Sequence, residues 1–222
     1  MSFSETLKEK AGKIWEECYK HPFLQELGMG TLEKEKFKFY LIQDYQYLME
    51  YAKVFAAGMV KCNEEKYMAK FAEIQHNILC EEMNIHRKYM EDFGITEEEA
   101  ANAGQSLFNK AYTSNMLSTA YTGTIAEIIA VVFPCAWSYH DFAKRLKQEY
   151  GNLPKNDFYN KWIDTYASDE FGESFSWFCD YLDVLCENKK QKELKKIEEI
   201  FRTSMEFEFL FWDMSYKMKM SY

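Results

Sequence analysis

The stretch FKFYLIQDYQYLMEY (Phe37–Tyr51) decides how the chain folds. Phe37, Leu41, Asp44, Leu48 and Tyr51 follow one another in steps of four, three, four and three, the spacing of one helical face. No period-two alternation runs through it, so it reads as a helix. Thr31 stands ready to cap that helix, with Glu33 and Glu35 favourable in its first turn, and the pattern carries to about Lys61.

Outward from this stretch the chain repeats the same texture. Ser2 and Glu5 form a capping box that opens a helix running to about Tyr19. HPFLQELGMG, with Pro22, Gly28 and Gly30, reads as a connection. Asn63 caps a third helix that stops at Gly94. Thr96 and Glu99 start a short helix, and Ser106 opens another to about Ala120. A long helix follows Gly123 and ends at Gly151; GNLPKND is the clearest loop. Shorter helices are expected near 156–166 and 169–187, and a last one runs to about Met218. No linker or repeat divides the chain, so the expectation is an all-α helical bundle forming a single domain over 1–222.

Composition narrows the function. The chain has 222 residues, of which only 9 are Gly and 3 Pro, and 18% are aromatic, which favours long helices around a large core. A formal net charge of -9 and the lack of a basic face argue against nucleic acid. MSFSETLKEK has no apolar leader core, and the best apolar run, IAEIIAVVFPCAW, is short and carries Glu127 and Pro134. A cytoplasmic protein with no membrane span is expected. Its six cysteines (Cys18, Cys62, Cys80, Cys135, Cys179 and Cys186) should then be reduced, and their spacings match no zinc pattern.

Three apolar stripes each carry one chemically capable group. Asp44 lies on the stripe quoted above, where a carboxylate must be paired or hydrogen-bonded. Tyr45, Tyr47 and Tyr51 offer hydroxyls, and the aspartate could equally be a structural brace. Phe201, Met205, Glu208, Trp212 and Ser215 repeat the spacing, so Glu208 points inward, while Glu206 shares an outer face with Arg202 and Asp213. A desolvated Glu208 could hold or donate a proton near neutral pH, or brace a neighbouring ring. Ile128, Val131, Cys135, Tyr139, Phe142 and Leu146 form the third stripe, with Pro134 removing one helical hydrogen bond beside the cysteine. Cys135 therefore faces the core. On that stretch alone an inert thiol is the default, since a nucleophilic one needs a base or a lowered pKa. Taken together, a nucleophile, an acid/base and an anchoring carboxylate make a coherent set if the three stripes meet around one pocket.

At these residues the chain resembles the TenA family, thiaminase II or aminopyrimidine aminohydrolase, in its cysteine-containing branch. The resemblance rests on HPF (21–23), FYLIQDYQYL (39–48), AYTSNML (111–117), PCAWSYH (134–140), WIDTYASDEF (162–171) and EFEFLFWDMSY (206–216), in that order over nearly the whole chain. It implies a haem-oxygenase-like all-α fold and a homotetramer. It implies hydrolysis of a small aminopyrimidine, the aminomethyl precursor, to hydroxymethylpyrimidine in thiamin salvage, with slower cleavage of thiamin and no metal or cofactor. On that resemblance Cys135 adds to the pyrimidine ring and Glu208 is the acid/base at a ring nitrogen. Asp44 holds the ring nitrogen and exocyclic amine, and Tyr47, Tyr112, Tyr139 and Tyr166 stack on or hydrogen-bond to the substrate. The residue types suit the task. A thiolate adding to the ring as a ring nitrogen is protonated breaks aromaticity, and the ring electrons then expel the group on the side arm.

Three other readings compete. Glu73 with His76 and Glu82 with His86 resemble halves of a di-metal carboxylate site. On one uninterrupted helix, however, Glu73 and Glu82 point to nearly opposite sides, which leaves His76 and His86 as surface or core-bracing residues. Haem binding is suggested by fold analogy alone, with His21 a poor axial ligand beside Pro22. A non-catalytic pyrimidine-binding or regulatory module would use the same residues without turnover.

Overall fold

The structure, a computed structural model, describes residues 2–152 and 157–221. All regular elements among them are helical: α1 (Phe3–Lys10), α2 (Gly12–Tyr19), α3 (Pro22–Gly28), α4 (Lys34–Lys61), α5 (Glu65–Asn77), a π turn (Ile78–Glu82), α6 (Met83–Asp92), α7 (Glu97–Asn102), α8 (Leu107–Thr122), α9 (Ile125–Tyr150), α10 (Asp157–Tyr166), α11 (Asp169–Cys186) and α12 (Gln191–Lys217). None is long and apolar enough to cross a membrane. Two compact units share these helices. The first comprises Met1–Leu32 and Ile129–Asp213, the second Glu33–Ile128 and Met214–Tyr222.

Local chemistry explains most boundaries. Ser2 and Thr96 both form complete capping boxes, with Glu5 and Glu99 reaching back to the cap N–H groups. Ser106 and Ser168 cap α8 and α11 through Asn109 N and Phe171 N. Gly94 takes φ 68° just past α6, where a β-carbon would be strained.

Some boundaries differ from expectation. Residues 3–19 form two helices, because Ala11 takes φ -78° and ψ -2° between them. The connection expected over 21–30 contains α3, with Pro22 at its first position and the His21 ring accepting from Phe23 N. Neither Thr31 nor Asn63 caps: α4 and α5 begin after Glu33 and Glu64 with no side-chain cap, and Thr31 Oγ1 instead donates to Glu26 O at 3.4 Å. The third expected helix is interrupted by the π turn. The loop expected over 151–157 lies mostly outside the described residues.

In the first unit, α9 and α12 supply the core. Val131, Phe142 and Leu146 of α9 and Phe201, Met205 and Trp212 of α12 are fully or almost fully buried. Ser204 Oγ donates to Val131 O at 3.0 Å, tying the two helices. Ser4 N and Oγ both donate to Asp183, which fixes α1 on α11. In the second unit, α4 runs along α5, α6, α7 and α8. Gly58 is where α4 meets α5: a β-carbon there would stand 2.5 Å from the Phe71 ring. Gln43 accepts from Ser106 N and from Asn109 Nδ2 through Oε1, so a buried amide joins α4 to the start of α8.

Candidate active site

The first unit holds Cys135, Tyr139, Tyr166 and Glu208. Glu208 is 1% exposed on the inner face of α12, in the register expected. Glu206, two residues away, is half-buried and takes an ion pair from Arg202. The buried thiol of Cys18 lies near Glu208 and donates to Met205 O at 3.5 Å. Burial pushes that thiol up, and the charge of Glu208 adds to the effect, so Cys18 stays a neutral structural thiol.

On α9 the stripe is buried as expected except at Cys135. Val131, Tyr139 and Phe142 are buried, whereas Cys135 is half-buried. The sulfur on this core-facing stripe is thus less covered than its neighbours. The exposure suits a reactive group, since a nucleophile must be reachable. Helix α9 continues through Pro134. Tyr139 sits in an aromatic cluster, with ring centroids 5.0 Å from Tyr166, 5.0 Å from Trp212 and 5.6 Å from Trp162. Edge-on and tilted packing of these rings holds each in one orientation, a rigid apolar wall of the kind a flat ligand needs.

The second unit holds Asp44, Tyr47 and Tyr112. Asp44 is 4% exposed on α4. Its tyrosine partner is none of those expected: Tyr40, one turn earlier, donates its hydroxyl to Oδ2 at 3.3 Å. Tyr45 donates to Glu97 and Tyr47 to Met116 Sδ. The stronger partner of Asp44 is His86 on α6, whose Nε2 lies 2.5 Å from the same oxygen. Burial opposes a charge on His86, but the charge and hydrogen bond of Asp44, with Glu82 adding, outweigh it and raise its pKa above the ordinary value. Tyr47 packs against Tyr112, centroids 5.2 Å apart, and stacks on Tyr51 at 5.3 Å.

His86 is therefore a buried partner of Asp44, the core-bracing alternative of the two expected for it, and the spacing along 73–86 gave no sign of what it braces. His76 and Glu73 are exposed. Among the described residues no three His, Cys, Asp or Glu side chains are grouped to hold a metal ion. His21 is spent on the start of α3, where its Nδ1 accepts from Phe23 N at 3.2 Å.

An aminopyrimidine aminohydrolase from Helicobacter pylori is 45% identical over 217 residues, 98% of this chain and 100% of that protein. A solved TenA homologue from P. horikoshii OT3 matches with a TM-score of 0.89 and 30% identity, covering 98% of this chain and 99% of that one. A domain from Shewanella denitrificans with a haem-oxygenase-like fold matches at a TM-score of 0.75 and 15% identity, over 96% of this chain and 92% of that one, which speaks to the fold alone. The all-α, haem-oxygenase-like architecture is thus the one these helices adopt. With the profile of the family fitting residues 8–218 and these likenesses running almost end to end, the chain belongs to the TENA/THI-4/PQQC family.

Proposed function

We propose that the protein is an aminopyrimidine aminohydrolase, converting 4-amino-5-aminomethyl-2-methylpyrimidine to the hydroxymethylpyrimidine for thiamin salvage. Cleavage of thiamin itself is a secondary activity. The observation that supports this reading is the 45% identity, over essentially full length, to the Helicobacter pylori protein named aminopyrimidine aminohydrolase.

The roles are assigned residue by residue. Cys135 is the nucleophile: its sulfur gives up its proton and bonds to a ring carbon while Glu208, on the buried face of α12, delivers a proton to a ring nitrogen. The ring electrons expel the side-arm amine, which leaves with a proton. Water adds to the exposed methylene and gives up a proton, the ring nitrogen is deprotonated, and the cysteine leaves as aromaticity returns. Asp44 accepts from the amino edge of the ring. Tyr47, Tyr112, Tyr139 and Tyr166 flank the ring or hydrogen-bond to it, a role their rigid aromatic packing supports.

The single-domain reading is supported by the family profile, which spans 8–218. A cytoplasmic homotetramer belongs to the same proposal; Val60 and Tyr121, 82% and 69% exposed, are apolar side chains of the kind subunit contacts cover. Initial rates on the aminomethylpyrimidine and on thiamin test the function. The expected result is turnover of both, faster with the former. Binding of the pyrimidine with no turnover of either would replace the hydrolase with a binding module.

A further inference from the structure

His86 is a fully internal histidine, 3% exposed, that the roles above do not use. Its surroundings determine which ring nitrogens carry hydrogen. Nδ1 lies 3.2 Å from Glu82 O, and a carbonyl only accepts, so Nδ1 is the donor there. Nε2 lies against Asp44 Oδ2, which also takes the Tyr40 hydroxyl. Among the described residues, every hydrogen bond to Asp44 falls on Oδ2 and none on Oδ1.

The backbone is bent out of its regular path to achieve this. In an uninterrupted α-helix, Ile85 would lie within about 20° of the buried Ile78, and His86 about 80° from it. The observed order is reversed: Ile85 is 39% exposed while Met83 and His86 are 1% and 3%. The π turn makes the exchange, with Met83 N–H bonding to Ile78 O five residues back. An apolar side chain has been turned toward water and an imidazole buried in its place. The gain that offsets this is the contact with Asp44, and π turns recur at functional sites.

We propose that His86 is the positioning residue of Asp44: anchored by the Glu82 carbonyl, it donates from Nε2 to Oδ2, keeps the carboxylate an acceptor and fixes its rotation, so that Oδ1 is left for the amino edge of a pyrimidine. The pyrimidine half of this statement rests on the function proposed above; the pairing half does not.

Two measurements test them separately. Long-range nitrogen–proton NMR of the ligand-free protein near neutral pH reports the protons on each ring, and only four histidines need assignment. The expected result is His86 protonated at both nitrogens, with that signature lost in Asp44→Asn. A bare Nδ1 or Nε2 in the wild type, or a spectrum indifferent to Asp44→Asn, overturns the pairing. Calorimetric titration with hydroxymethylpyrimidine then reads the positioning. His86→Leu should weaken binding on the order of tenfold to a hundredfold, and His86→Gln, which keeps an N–H donor, by less. In an Asp44→Asn background either substitution should change affinity by less than about twofold. Equal losses in both backgrounds would reduce His86 to a structural residue, and His86→Gln decides the matter if His86→Leu fails to fold. A wild-type protein that binds no pyrimidine would remove the proposed function while the spectra still judge the pair.

Discussion

Glu206 and Glu208 are the same residue type, two positions apart, in opposite environments. Glu206 is paired with Arg202 in water's reach, whereas Glu208 is enclosed at 1% exposure beside Cys18. Glu208→Gln should therefore lower kcat by about a hundredfold or more, and Glu206→Gln by less than about twofold. The reverse order in steady-state assays would overturn the register of α12. The cysteines divide in a similar way. Burial pushes the Cys179 and Cys186 thiols up to about 11 and Cys18 higher still, while Cys135 is half-buried. Brief alkylation followed by mass spectrometry should modify Cys135 well before Cys18, with loss of turnover tracking Cys135; labelling of Cys18 first would contradict the burial. Cys135→Ser should abolish hydrolysis and leave pyrimidine affinity within a few-fold, and wild-type turnover in that variant would remove the nucleophile. At this scale the inward register of Asp44 and Glu208 was legible, because a period of 3.6 residues carries burial directly. The accessibility of Cys135 was not, since it depends on what neighbouring helices leave uncovered.

At the scale of elements, capping chemistry and glycine placement read through to the structure at Ser2, Thr96, Ser106 and Gly94. They failed at Thr31 and Asn63, where a capable residue stands near the boundary but α4 and α5 start after Glu33 and Glu64 with no side-chain cap. The split at Ala11 and the π turn at 78–82 have no composition signal, because both are one-residue departures from a pattern that local propensity would continue. The close approach at Gly58 is likewise invisible to propensity. Gly58→Ala removes a flexible helix-interior glycine, which by itself would stabilise by up to about 1 kcal/mol. The added methyl, however, meets a fully buried Phe71 ring, and the overpacking should win with a net loss of about 1–3 kcal/mol. Urea unfolding would measure it, and a more stable variant would mean that α4 and α5 can separate freely.

At the scale of the whole molecule, the His86–Asp44 pair makes stability depend on pH. The pKa of His86 is raised in the folded chain, so the folded state holds this proton more tightly than the unfolded one. The contribution is complete below about pH 6.5, the ordinary imidazole value, and is lost as pH rises through the raised value. The stability advantage of wild type over His86→Gln should be largest near about pH 6 and shrink toward about pH 9 in urea titrations. An advantage that grows with pH would reverse the sign of the linkage. What the amino-acid sequence determined alone was the all-α class, most helix spans and the inward side of each long helix, because these follow from periodicity and capping within a few turns of chain. The quoted motifs also pointed to the family. Only the tertiary structure decided that Asp44 is met by His86 and Tyr40 rather than by the tyrosines that follow it. That choice depends on how one helix packs on another and on a single extra residue in a turn, and no local pattern encodes either.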